Sequence, residues 1–153
     1  MFKISFDGLQ LASGDPLSCM SVDRFTSRNV LADVHMLVAG EITPTVTNGE
    51  GKAPFNVWCQ AVDGLPINLL LEDGSRYKVT DQWGRLKEVL FRRKGDEVTV
   101  SFPGEKRKFR CTYEELRRGV QEFKGEVRER LLASASRDVV ALWWKEVFIE
   151  TLP

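Results

Sequence analysis

His35 is the only histidine of the chain and the side chain best suited to acid–base chemistry near neutral pH. Asp33 lies two residues before it, a spacing that puts both side chains on one face of a strand, with a carboxylate near the imidazole. Such a pair could act as a general base with its orienting group. Because no Ser or Cys nucleophile is placed with the pair, we favour a surface or packed histidine. A single histidine also excludes metal motifs that use two.

The segment from Gly49 to Lys52 contains the Gly-Lys step of a phosphate-binding loop. A Walker motif has a glycine five positions before that step and a Ser or Thr after the lysine, where this chain has Val46 and Ala53. We therefore exclude a phosphate loop. The acids are spread along the chain without a recognisable acid–base pair. These observations predict a protein that is not an enzyme and uses no metal or cofactor.

The three cysteines, Cys19, Cys59 and Cys111, are widely spaced. Their odd number and spacing argue against a disulfide framework and against zinc sites, which use paired Cys-x-x-Cys steps. The pattern is typical of reduced thiols in a cytosolic protein. The N-terminal segment reaches Asp7 too early for a secretory signal, and the longest apolar run, 139–144, is too short to cross a membrane. We predict a cytoplasmic protein with no membrane partner.

Charge is distributed unevenly, although the whole chain is neutral. Residues 1–84 hold 6 Lys/Arg and 10 Asp/Glu, whereas residues 85–130 hold 14 and 9. The basic stretch over 85–110 indicates one alternative function, nucleic-acid binding. Sheet-based RNA binders also need exposed aromatic rings, and strand alternation assigns Phe91 and Phe102 to the core. We favour solvated faces of strands and a helix, because acids are interleaved with the bases.

The N-terminal half alternates apolar and polar residues in two places. This pattern predicts a strand over 2–6, a tight turn at Asp7-Gly8 and a second strand over 30–38, with a polar loop over 12–29. Residues 55–64 fit either a short helix or a strand. We favour the helix, because a proline precedes it at a position that suits a helix start.

The middle of the chain predicts two hairpins. The first covers residues 69–79 and turns at Asp73-Gly74, and the second covers 89–102 and turns at 94–96. Residues 106–110 then form a short, highly charged strand that suits a sheet edge, since repeated Lys and Arg discourage pairing with another edge.

A long helix follows these strands. Thr112 is a good N-cap, and Glu115 three residues later completes a capping box. Residues 137–149 form a further amphipathic helix or, as the open alternative, a strand. One apolar stripe is predicted along the long helix at Leu116, Val120, Phe123, Val127 and Leu131.

These elements predict the fold class. We expect a single α+β domain over residues 1–153, in which an antiparallel sheet packs against the long helix of the C-terminal half and a further helix lies near the C-terminus. The layout from Val30 to Leu132, about two thirds of the chain, resembles small immunity proteins of bacterial polymorphic toxin systems. The segments that carry the resemblance are VLADVHMLVAGEI, INLLLEDGSRYKV, EVLFRRKGDEVTVSF and TYEELRRGVQEFKGEVRERLL.

The resemblance implies a cytoplasmic, non-enzymatic protein that binds and neutralises a cognate toxin domain. It transfers no functional residues, because such proteins bind through divergent surfaces. Exposed Trp and Arg are enriched in protein-binding hot spots. We therefore predict Asp81, Trp83, Arg92 and Arg93 as partner-binding residues, since they are expected to be exposed near hairpin ends.

Overall fold

The computed structural model describes residues 1–21 and 30–153, which form a single α+β domain. The predicted fold class is confirmed, with one addition: within these residues the strands form two antiparallel sheets rather than one. The predicted loop over 12–29 is described only to residue 21, and its residues 22–29 lie outside the described part of the chain.

The first sheet is built on two long strands, β1 (Phe2–Leu11) and β2 (Val30–Val38). They pair antiparallel, and the short strands β3 (Glu41–Ile42) and β4 (Ala53–Pro54) pair with β2. The predicted turn at Asp7-Gly8 is wrong, because β1 continues through it. Gly8 adopts φ +61° where the strand register shifts between Asp7 and Gln10. The glycine therefore accommodates an irregularity within β1.

Two short helices connect the sheets. Helix α1 (Phe55–Asp63) confirms the helical interpretation of residues 55–64, and Pro54 is its N-cap. Helix α2 (Leu65–Asn68) follows directly. The amides of Asn68 and Leu69 bond back to the carbonyls of Gly64 and Leu65, so the chain is still in a helical turn where the sequence predicts a strand.

The second sheet has the strand order β5 (Asp73–Lys78), β6 (Leu90–Lys94), β7 (Glu97–Ser101) and β8 (Lys108–Thr112). The β6–β7 hairpin and the edge position of β8 are confirmed. The hairpin predicted at Asp73-Gly74 is wrong, because both residues lie inside β5, which pairs with β6.

Helix α3 (Tyr113–Ser134) has the predicted start. Glu115 N donates to Thr112 Oγ1 at 3.1 Å, and Thr112 N donates to Glu115 Oε1 at 3.0 Å, which completes the capping box. All five residues of the predicted apolar stripe are buried. The last segment, for which the sequence allows a helix or a strand, is helix α4 (Arg137–Phe148). The Ser136 side chain accepts a hydrogen bond at the start of this helix.

Helix α3 packs across β1 at Gly119. A Cβ atom at this position would lie 2.3 Å from the carbonyl oxygen of Phe2. The glycine is therefore required by the close packing of helix on sheet. Phe6, Phe55 and Phe123 meet beside this crossing, with ring centroids 5.1–6.1 Å apart. They form the centre of the core that α1, α3, α4 and the first sheet share.

The capping box gives a direct test of local stability. We expect Thr112→Ala to lower the free energy of unfolding by about 1 kcal/mol, because the Glu115 amide loses its acceptor at the first turn of α3. Thr112→Ser keeps an oxygen in place and serves as the control. Urea unfolding of the three proteins measures the difference, and equal midpoints for Ala and Ser would contradict the assignment.

Candidate functional site

The outer side of the second sheet is a basic surface. Period-two alternation turns Phe91, Val98, Val100 and Phe109 toward the core, so the residues between them face outward. We call this outward side the basic face. It consists of Arg76, Lys78, Arg92, Lys94, Lys108 and Arg110, with Thr99 and Ser101 between them.

The strand register arranges these side chains in rows across the sheet. Arg76 lies opposite Arg92, Arg92 opposite Thr99, and Thr99 opposite Arg110. Neighbouring strands are about 4.8 Å apart. One row across the sheet therefore carries arginines on β5, β6 and β8 and Thr99 on β7. The face holds a shallow depression of about 540 Å³ lined by residues of all four strands. Such a surface is open to a large partner.

Few acids neutralise the basic face. Arg110 Nε lies 3.7 Å from Glu97 Oε1, and Lys78 Nζ lies 3.8 Å from Glu88 Oε2. Within the described residues, the four other cations of the face form no ion pair. Among the described residues, Asp73 and Glu97 are the acids that line the depression. Clustered unpaired charges of one sign produce a local potential that attracts anionic partners.

Arg92 is exposed on this face, as predicted, but the expected exposure of Arg93 is wrong. Arg93 is 6% exposed, because adjacent strand residues point to opposite sides. Its Nη1 donates to the carbonyls of Leu69 and Leu70, both at 2.9 Å, and its Nε donates to Gly95 O at 2.8 Å. The guanidinium also stacks 3.8 Å from the Tyr113 ring centre. Arg93 thus holds the chain before β5 against the second sheet.

Asp81 and Trp83 lie in the turn between β5 and β6, away from the basic face. Asp81 accepts hydrogen bonds from Trp83 N at 3.3 Å and Arg85 N at 2.9 Å, and its side chain is 2% exposed. The predicted exposure of Asp81 is therefore also wrong. Its carboxylate stabilises the turn through these two hydrogen bonds. Trp83 is 62% exposed, in agreement with the expectation. The structure thus places Arg92 and Trp83 on two separate surfaces, whereas the side chains of Asp81 and Arg93 are buried.

His35 and the glycine-rich segment 49–52 both lie beside β1. His35 lies directly opposite Ser5, a proximity that only the strand register reveals. No hydrogen bond joins the two side chains in the described part of the chain, so their geometry is not that of an activated nucleophile. Lys52 Nζ donates to Gly8 O and to Gln10 Oε1 at 3.2 Å. It ties its loop to β1 rather than presenting a charge to a phosphate.

The three thiols differ in accessibility. Cys19 is exposed, whereas Cys59 and Cys111 are buried. Burial, with a smaller contribution from Asp63, raises the pKa of Cys59 well above its usual value. Burial, with a smaller contribution from Glu115, raises the pKa of Cys111 to about 12.

These differences predict selective chemical labelling. We expect Ellman's reagent at about pH 8 to modify one thiol of the native protein rapidly, because only a thiolate attacks the reagent. All three thiols should react after denaturation. Cys19→Ser should remove the fast native phase, and a fast phase that persists in this variant would contradict the assignment.

In residues 1–21 and 30–153, no group of three or more His, Cys, Asp or Glu side chains is placed to hold a metal ion. No helix of the same residues combines the length and apolarity that a membrane span requires. No protein-family model, curated protein or solved structure matches this chain.

Proposed function

We propose that this protein is a non-enzymatic protein-binding module whose basic face binds an acidic surface of its partner. The observation that carries the proposal is the row of Arg76, Arg92 and Arg110 across the second sheet. Arginine presents a planar fork of donors that matches a carboxylate in a bidentate manner. Thr99 and Ser101 add hydroxyl groups that can bond to either charged or neutral partner atoms.

The narrower form of the proposal is an immunity protein. In this form the basic face covers an acidic surface of a cognate toxin domain in the cytoplasm and occludes its activity. Charge complementarity speeds association, which suits a protein that must bind its target before the target acts. A rigid sheet also suits this role, because hydrogen-bonded strands hold the cations in place and little ordering is needed on binding.

Nucleic-acid binding is the second candidate function, and the same cations support it, since they could contact successive phosphates. The described part of the chain offers no aromatic ring on the basic face: Phe91 and Phe109 are 0% and 4% exposed on the opposite side of the sheet. Single-stranded nucleic acids bind sheets through stacked bases. The absence of a stacking ring from the described face makes an acidic protein the better match.

A capture experiment from a native lysate distinguishes the two candidates. The wild-type bait is compared with the variant Arg76→Glu/Arg92→Glu/Arg110→Glu. A control bait, Lys3→Glu/Arg118→Glu/Arg137→Glu, changes the net charge by the same amount at exposed positions away from the basic face. Each capture is repeated after nuclease treatment, and bound proteins are quantified by mass spectrometry.

The proposal predicts a protein that is retained by the wild-type and control baits, lost from the basic-face variant and unaffected by nuclease. Capture that disappears after nuclease treatment would favour nucleic acid instead. Equal capture by all three baits would contradict both candidates. If the captured protein is a toxin, co-expression with this chain should suppress its activity, and failure to do so would contradict the immunity role alone.

A further inference from the structure

A second surface lies apart from the basic face, between α1, α4 and the turn that follows β5. Here a cavity of about 370 Å³ is open to solvent. This volume falls within the range of small-molecule sites, about 300–1,000 Å³. The cavity shares no lining residue with the depression on the basic face. Its polar lining includes Asn56, Gln60, Thr80, Gln82, Arg85 and Glu146.

Asn56 is the unexplained residue of this cavity. It lies in the first turn of α1, is 4% exposed and lines the cavity. Its Oδ1 atom is buried without a hydrogen-bond partner in the described part of the chain. A buried amide oxygen without a partner is energetically costly, so a ligand group that bonds to it would be stabilised. This oxygen is inaccessible as placed, so a ligand in the cavity reaches it only when the amide rotates about its terminal torsion.

Trp83 supplies a flat apolar wall to the same cavity. It is 62% exposed, whereas Trp58, Trp143 and Trp144 are at most 1% exposed. An exposed indole offers a flat apolar face that a ligand can cover. The Asp81 carboxylate accepts the backbone amide hydrogen of Trp83 at 3.3 Å, so the backbone that carries the ring belongs to an ordered turn. Three side-chain amides line the same cavity.

The charges of the cavity disfavour an anionic ligand. Arg85 Nε lies 3.5 Å from Asp81 Oδ2, so this cation is already paired. Glu146 has no ion-pair partner among the described residues. The remaining carboxylate would repel a phosphate or a nucleotide. Amides, a hydroxyl and a carboxylate suit instead a ligand with many hydroxyl groups.

We propose that the cavity formed by Asn56, Gln60, Gln82, Trp83 and Glu146 binds a neutral sugar unit, either free or at the end of a glycan. The apolar C–H face of the sugar ring lies on the Trp83 indole. The ring hydroxyls bond to the side-chain amides and to the Glu146 carboxylate. This site is independent of the basic face, so either proposal can fail without the other.

The probes for the test are the methyl glycosides of glucose, galactose, mannose and N-acetylglucosamine. Binding is measured by saturation-transfer NMR and by tryptophan fluorescence of the wild-type protein, in which Trp83 is the exposed indole. We expect at least one glycoside to bind saturably, with a Kd on the order of 1 mM. Glucose 6-phosphate serves as the anionic comparison and should bind no more tightly than methyl glucoside.

The variants locate the site. Trp83→Ala and Gln82→Ala should each weaken glycoside binding at least about tenfold, and Trp83→Phe should retain part of the affinity because it keeps a ring. Ile67→Ala, at an exposed apolar residue outside the cavity, should bind as the wild type does. The proposal is overturned if no glycoside binds up to about 50 mM, if binding survives Trp83→Ala, or if glucose 6-phosphate binds tenfold more tightly than methyl glucoside.

Discussion

Replacing Arg93 by methionine should lower the free energy of unfolding by about 2–4 kcal/mol. The methionine retains an apolar stem but leaves the carbonyls of Leu69, Leu70 and Gly95 without their donors. Two of these bonds cross from the second sheet to the chain before β5. Their loss should therefore also loosen that segment, which hydrogen exchange can detect as faster exchange near residues 69–72.

Arg92→Met is the matched control, because it makes the same chemical change on the next residue of the same strand. Arg92 is exposed, so its replacement should alter stability by no more than about 0.5 kcal/mol. Arg93→Lys should fall between the two, since an ammonium cannot reproduce the planar fork. Chemical denaturation of the four proteins measures the differences. Equal effects of the two methionine variants would contradict the structural role of Arg93.

Gly119→Ala should lower the free energy of unfolding by about 2 kcal/mol, although alanine favours helices. The added Cβ would lie 2.3 Å from the carbonyl oxygen of Phe2 and 3.1 Å from its carbonyl carbon. These are backbone atoms, so α3 and β1 must move apart and weaken the packing of the helix on the first sheet. This loss exceeds the gain in helix propensity, which is about 1 kcal/mol.

Gly125→Ala makes the same substitution six residues later in α3, where no described residue beyond the adjoining turns of the helix approaches the added Cβ within 4 Å. It should stabilise the protein by up to about 1 kcal/mol, because only the helix propensity changes. Thermal and urea unfolding of both variants should therefore shift in opposite directions. Stabilisation by Gly119→Ala would contradict the close approach of α3 to β1.

Local patterns were sufficient to predict α3 and the β6–β7 hairpin. The capping box at Thr112 and the turn at residues 94–96 use short-range chemistry, which needs no knowledge of distant partners. The Asp73-Gly74 hairpin failed for the opposite reason. The Asp73-Gly74 dipeptide is a strong turn signal. However, Leu69 is buried in a helical turn, so it is not in a strand, and β5 pairs with β6. Tertiary packing outweighed the local preference.

The basic face was only partly predictable. The sequence marks residues 85–110 as basic, but Arg76 and Lys78 join the face because β5 pairs with β6. The burial of Arg93 could be predicted from the sequence. Strand alternation places Phe91 in the core, and residues two apart lie on the same face of a strand, so Arg93 faces the core as well. No sequence pattern indicates the cavity that Asn56 lines. Its walls come from α1, α4 and a turn that are far apart in sequence.

The most direct test of the basic face as a partner-binding surface is the dissociation constant of the captured partner complex. Isothermal titration calorimetry over a series of salt concentrations should compare the wild-type protein with Arg76→Glu/Arg92→Glu/Arg110→Glu. We predict affinity that falls as salt rises for the wild type, and on the order of 100-fold weaker binding with a flatter salt dependence for the variant. Equal affinity and equal salt dependence of the two proteins would contradict binding through the basic face.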